Sequence, residues 1–175
     1  MKKLNLPLKN KDIRRLKVGE SLLLSGKLYT ARDAAHKILF NLLRSNKKLP
    51  LALKGATIYY TGPAPTPPRR AIGSCGPTTS ARMDKFTPAL LKAGVKAMIG
   101  KGRRSRAVKD AIKKYKAIYF LAPAGCGALL SEKITKRKPL LYKSLGPEAV
   151  YELEVKDFPV IVGIDSRAKD VFNRV

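Results

Sequence analysis

Three short stretches of the chain put residues capable of acid, base or anion-binding chemistry at ordered spacings. In Tyr29-Thr30-Ala31-Arg32-Asp33-Ala34-Ala35-His36, Arg32 and the single histidine, His36, lie four apart. On a helix that spacing places both on one face. Leu39 and Leu43 continue the face, so both polar residues border its buried side. An arginine fork and an imidazole at the mouth of a helix suit a carboxylate ligand. A capping turn followed by a histidine satisfied within the core is the plainer alternative.

The second stretch is Gly73-Ser74-Cys75-Gly76-Pro77-Thr78-Thr79-Ser80-Ala81-Arg82-Met83-Asp84. Glycines admit a ligand close to the backbone, and a helix opening at Pro77 aims free N–H groups and its dipole at an anion. Thr78 and Thr79 add hydroxyls in that first turn, and Arg82 lies one turn beyond Thr78. A Gly-Pro turn with helix-capping threonines fits the same letters. The third candidate is Lys101, at the end of a strand between Gly100 and Gly102; alone, it reads as well as a turn lysine in solvent.

These residues need elements to hold them. Ser21 to Ser25 is predicted as a buried strand closed by Gly26, followed by a helix from Ala31 to Arg44 with Thr30 as N-cap. A strand from Ala56 to Thr61 leads into a proline-rich loop, Gly62 to Arg70. The helix from Pro77 runs to about Lys92, with a break near Pro88, and stops at Gly94. Val95 to Ile99 and Ala117 to Leu121 are strand-like, Ser105 to Tyr115 is a basic helix, and Gly125 to Glu132 opens another. Tyr151, Leu153 and Val155 alternate with charged residues as in a half-buried strand; Pro159 is expected to separate it from a strand at Val160 to Ile164. The expectation is one α/β domain over residues 1–175 with a layered, mixed sheet.

Composition excludes some chemistry and leaves other classes open. Two cysteines, Cys75 and Cys126, make neither a disulfide framework nor a complete metal site. A cluster held by this chain alone would lack thiolates. No apolar run nears the roughly 18 residues of a membrane helix, and the N-terminus has no signal-like apolar core, so the chain reads as mature and cytoplasmic. The 37 Lys plus Arg against 12 Asp plus Glu give a net charge of +25. Such charge raises nucleic-acid binding as a possibility. Against it, the basic residues are scattered, apart from Lys101 to Lys116. Aromatic residues are 7% and tryptophan is absent, so base-stacking surface is scarce. An acidic partner or a dianionic substrate would also select a basic surface.

The strings LSGKLYTARDAAHK, YYTGPAPTPP, IGSCGPTTSARMD, IGKG and AVYELEVKDFPVIV occur in that order. Together they resemble the class I fumarase and tartrate dehydratase family, along nearly the whole chain and in the part that forms the β subunit. Single-chain members carry the equivalent part as a C-terminal domain. The resemblance implies a swivelling β/β/α domain and an iron–sulfur-dependent hydration of a dicarboxylate double bond. Fumarate to malate is the expected reaction, with tartrate dehydration as the alternative. It also implies a 4Fe–4S cluster held by cysteines of an α subunit, in a hetero-oligomer such as α2β2. An iron with an open position would act as Lewis acid on the departing hydroxyl. Carried onto this chain, Arg32, Arg82 and Lys101 would hold the substrate carboxylates. Thr78 matches the residue proposed to move the proton, and His36 falls inside the match as a further catalytic candidate.

Overall fold

In the computed structural model, which describes residues 1–173, period-two alternation in three short strands sorts their side chains between two cores. These strands are β3 (Thr57–Tyr59), β4 (Ala97–Gly100) and β5 (Ile118–Leu121). Tyr59, Ala97, Ile99, Ile118 and Phe120 face one way, into a cluster with Leu22, Leu24 and Leu28 of β2 (Ser21–Thr30) and Leu153, Val155, Phe158 and Val160 of β7 (Val150–Ile164). Ile58, Tyr60, Met98 and Tyr119 face the other way, toward the helices.

The sheet runs β1-β2-β3-β4-β5-β7-β6, where β1 is Lys2–Asn5 and β6 is Ile134–Leu141. A further pairing of β2 with β7 closes β2, β3, β4, β5 and β7 into a small barrel. Side chains fill its interior, as expected for so narrow a ring. Strands β2 to β5 are mutually parallel, and β7 runs antiparallel to β2, β5 and β6. The mixed α/β expectation is met, with closure in place of open layering.

The helices are α1 (Asn10–Arg15), α2 (Asp33–Arg44), α3 (Thr87–Lys92), α4 (Arg106–Tyr115) and α5 (Gly127–Ser131). Buried residues of α2, α3 and α4, among them Leu39, Leu90 and Ile112, cover the outer face of β3 to β5. Ser105 caps α4 by accepting the Val108 N–H at 3.4 Å. None of the helices among the described residues is long and apolar enough to cross a membrane.

Three sequence expectations are corrected. The helix from Pro77 does not form: a 3-10 turn spans Ser80–Met83, and α3 begins only at Thr87. The Thr78 and Ser80 amides are taken by Tyr60 O (2.7 Å) and Lys101 O (2.9 Å), which holds the backbone extended as an appendage of β3 and β4. Pro88, intolerable inside a helix but favoured in its first turn, marks the real start. Pro159 does not interrupt β7, since it lies between the stretch paired with β6, Val150 to Val155, and the stretch paired with β5, from Ile161. Its missing N–H therefore costs no ladder bond on that edge. Thr30 is not the cap of α2 but the last residue of β2, donating to Ala149 O (3.2 Å) and accepting from Tyr151 N (3.0 Å).

Candidate functional site

The carboxyl ends of parallel strands are where open α/β sheets place their ligands. Here β2 ends just before Arg32, β3 just before Tyr60 and Thr61, and β4 just before Lys101. The Thr78–Arg82 segment crosses this end of the barrel, bridged to Lys101 through Thr79. Four of the five candidates from the sequence, Arg32, Thr78, Arg82 and Lys101, thus gather on one side of the molecule.

Arg32 and Arg82 meet at a shared carboxylate. Arg82 Nε donates to Asp33 Oδ1 at 2.9 Å, and its Nη2 forms an ion pair with Oδ2 at 2.9 Å without hydrogen-bond geometry, so Oδ2 has no hydrogen-bond partner. Arg32 Nε stands 3.6 Å from Asp33 Oδ2, and its Nη2 stands 3.6 Å from Glu148 Oε1. Burial would raise the Asp33 carboxyl pKa, but its own backbone N–H and the Arg82 and Arg32 charges outweigh that and hold it below the ordinary value. Glu148 also accepts the Ala34 N–H at 2.7 Å, covering the exposed start of α2. Gly62 passes so close to Arg32 that a Cβ there would stand 2.9 Å from Nη1. Arg82 is half exposed, so its fork can reorient toward a ligand. Among the described residues Lys101 makes no ion pair. Three cations and two carboxylates therefore leave this face positive.

Thr78 is half-buried, and neither it nor Thr79 caps a helix through its side chain. The positive charge of this face comes from side-chain cations, since no α-helix opens at Pro77.

His36 is placed differently from the other four. Its ring is fully buried, edge-on to Tyr60 at 5.2 Å and tilted against Phe86 at 6.2 Å. Nδ1 donates to Arg32 O at 2.9 Å, and Nε2 has no partner. The ring lies in the core, as the core-histidine alternative expects, but only its Nδ1 is satisfied there. Burial pushes its pKa down to about 4, with the Arg104 charge acting the same way. The neutral ring is thus the folded form. As pH falls below about 6.5 the unfolded chain binds a proton that the folded chain refuses, so stability is lost toward about pH 4. Relative to His36→Gln, the protein should lose about 2 kcal/mol between pH 7 and pH 5. Urea unfolding of both proteins at the two pH values checks this; parallel losses would refute it.

The cysteines lie beside the site but are differently engaged. The buried Cys75 thiol sits 3.4 Å from Thr61 Oγ1, and burial pushes its pKa up to about 11. Its backbone carbonyl accepts Tyr59 Oη at 2.6 Å and its N–H reaches Gly127 O at 3.0 Å. Cys126 is half-buried just before α5. No group of three or more His, Cys, Asp or Glu among the described residues is placed to hold a metal. A groove of about 570 Å³ lies elsewhere, lined by Lys27, Lys136, Arg137, Glu152 and Glu154; its charges are solvated strand residues without a convergent site.

The sequence pointed to Arg32 and Arg82 but assigned nothing to Asp33, Glu148, Ser80 or Tyr119. Asp33 lay inside the quoted motif; Glu148 reaches Ala34 from 114 residues away and left no local signal.

The structure is thus a small closed α/β barrel with a net-positive cluster of arginine, lysine and carboxylate side chains at its parallel strand ends. Residues 1–175 match the family described as "Fumarase C-terminus", and the chain belongs to that family. A Methanocaldococcus jannaschii protein, provisionally named as an L(+)-tartrate dehydratase subunit beta, is 41% identical over 96% of this chain and 89% of its own length. The L(+)-tartrate dehydratase subunit beta of Escherichia coli K12 is 34% identical over 98% and 87%. The anaerobic class I fumarate hydratase of the same organism is 36% identical over 98% of this chain, which spans only 32% of that enzyme. All three names describe enzymes that add or remove water.

Proposed function

We propose that the chain is the β subunit of a hydro-lyase that interconverts fumarate and malate, acting with an α subunit that carries a 4Fe–4S cluster. The observation that carries the reading is the Arg32–Asp33–Arg82 cluster beside Thr78 and Lys101 at the strand ends. A C4 dicarboxylate has a charge at each end, and this face offers three cations to receive them. Cations near the carboxylate also stabilise the enolate-like charge that develops as the adjacent carbon loses its proton. Thr78 is assigned that proton. Its hydroxyl is a poor base at its free pKa, so the surrounding positive charge must favour its ionised form. His36 is assigned a supporting role, holding the Arg32 backbone from below.

This chain's thiols do not fit a four-iron cluster: one is buried and protonated, and two cannot supply its ligands. The cluster is therefore assigned to the α subunit, and no step is routed through it here. Tartrate dehydration is the second reading. It is supported by the similarity to two tartrate dehydratase β subunits, at 41% and 34% identity. The reading includes one swivelling β/β/α domain over residues 1–175, a cytoplasmic location and an α2β2 assembly. Nucleic-acid binding is disfavoured because Tyr59, Tyr60, Tyr119, Phe120 and Phe158, five of the twelve aromatic residues, are wholly buried, which takes their rings away from base stacking.

Co-purification with an α subunit of the family, followed by assays with fumarate, malate and L-tartrate, tests the reading. Activity is expected in the complex and not in this chain alone. Activity of the isolated chain, or nucleic-acid binding that survives moderate salt without hydro-lyase activity, would refute it.

A further inference from the structure

Tyr119 lies in β5 with its ring on the helix side, and its hydroxyl stands 2.9 Å from both Gly102 O and Ser80 Oγ. A phenol has one hydrogen to give. Donation to Gly102 O leaves the phenol oxygen to accept from Ser80, which satisfies all three groups. Ser80 is fully buried, and its amide donates to Lys101 O at 2.9 Å. Gly100 makes this approach possible: a Cβ there would overlap the Ser80 hydroxyl and stand 2.9 Å from the Tyr60 ring. Beneath the ring, the Arg104 guanidinium sits 5.0 Å from the Tyr119 centroid and 5.4 Å from that of Tyr60. Arg104 is itself fixed by Asp84 (2.6 Å) and Thr87 (2.8 Å).

We infer that Tyr119 is a positioning residue: its hydroxyl ties the Thr78–Arg82 segment to the end of β4, so that Thr78, Arg82 and Lys101 keep one spacing. The positional half stands on the geometry alone; the kinetic half rests on the reaction proposed above. Small displacements of reacting groups are costly, because rate depends on near-attack geometry.

Tyr119→Phe tests it by removing the hydroxyl while leaving the ring stacked against Arg104. In hydrogen exchange of the full chain, the Thr78 and Ser80 amides should exchange at least about tenfold faster, with β7 amides unchanged. Unchanged exchange at those two amides overturns the inference. In the two-subunit enzyme kcat/KM should fall about tenfold. Added to Thr78→Val the same change should cost little, since the group it positions is gone; a full multiplicative loss marks a merely structural role and overturns the kinetic half. If Thr78→Val alone leaves activity intact, the proposed reaction scheme fails, while the exchange result still decides the positional claim. Ser80→Ala, which spares the Tyr119–Gly102 bond, should loosen the same amides and carries the test if Tyr119→Phe does not fold.

Discussion

Thr78→Val should lower kcat by about 10²-fold or more in the two-subunit enzyme, with KM changed little. Valine keeps the branched shape, and the backbone bond from Thr78 N to Tyr60 O is indifferent to the side chain. No helix opens at Pro77 and no capping bond comes from Thr78, so the substitution has no cap to destroy. Loss of rate would therefore report the hydroxyl. Arg82→Lys should fail in a different manner. It keeps the charge but loses the planar fork that now spans both oxygens of Asp33, so it should chiefly raise KM. Steady-state kinetics of both variants separate the roles. Near-normal kcat in Thr78→Val would move the proton-transfer role off this hydroxyl.

What was legible in the sequence is what depends on neighbours along the chain. The stripe His36, Leu39 and Leu43 marked the inward face of α2, of which His36 and Leu39 are fully buried, and Ser105 marked the start of α4. The depth of His36 was not legible, because it is set by Tyr60 and Phe86 closing over the ring. The Pro77-Thr78-Thr79 string has the letters of a helix start, yet remote carbonyls on Tyr60 and Lys101 compete for the same amides and win. Strand β6 escaped notice for another reason. Lys136, Arg137, Lys138 and Pro139 leave no alternation to read, because this edge strand buries neither face there, and such residues are what protects an edge from unwanted pairing. The site followed the same division. Arg32 and Arg82 stood in recognisable motifs, whereas Glu148 arrives by tertiary folding alone.

Asp84→Ala should be the most destabilising single change in this region, by about 3–5 kcal/mol. The Arg104 side chain is fully buried, and Asp84 provides the charge that neutralises it, at 2.6 Å. The other carboxylate oxygen accepts the Ser105 N–H at 2.6 Å, at the cap of α4. Alanine would leave a guanidinium in the core with Thr87 Oγ1 and the two tyrosine faces, which cannot replace a counter-charge. The penalty arises from the orphaned charge, and this separates it from ordinary loss of packing. Arg104→Met removes the charge and fills much of its volume, and the slightly exposed Asp84 can then turn to water. The double variant Asp84→Ala with Arg104→Met should therefore be more stable than Asp84→Ala alone, although it carries one more substitution. Urea unfolding of the unsubstituted protein and the three variants measures the cycle. Simple addition of the two losses would show that Arg104 is held by packing and that its pairing with Asp84 contributes little.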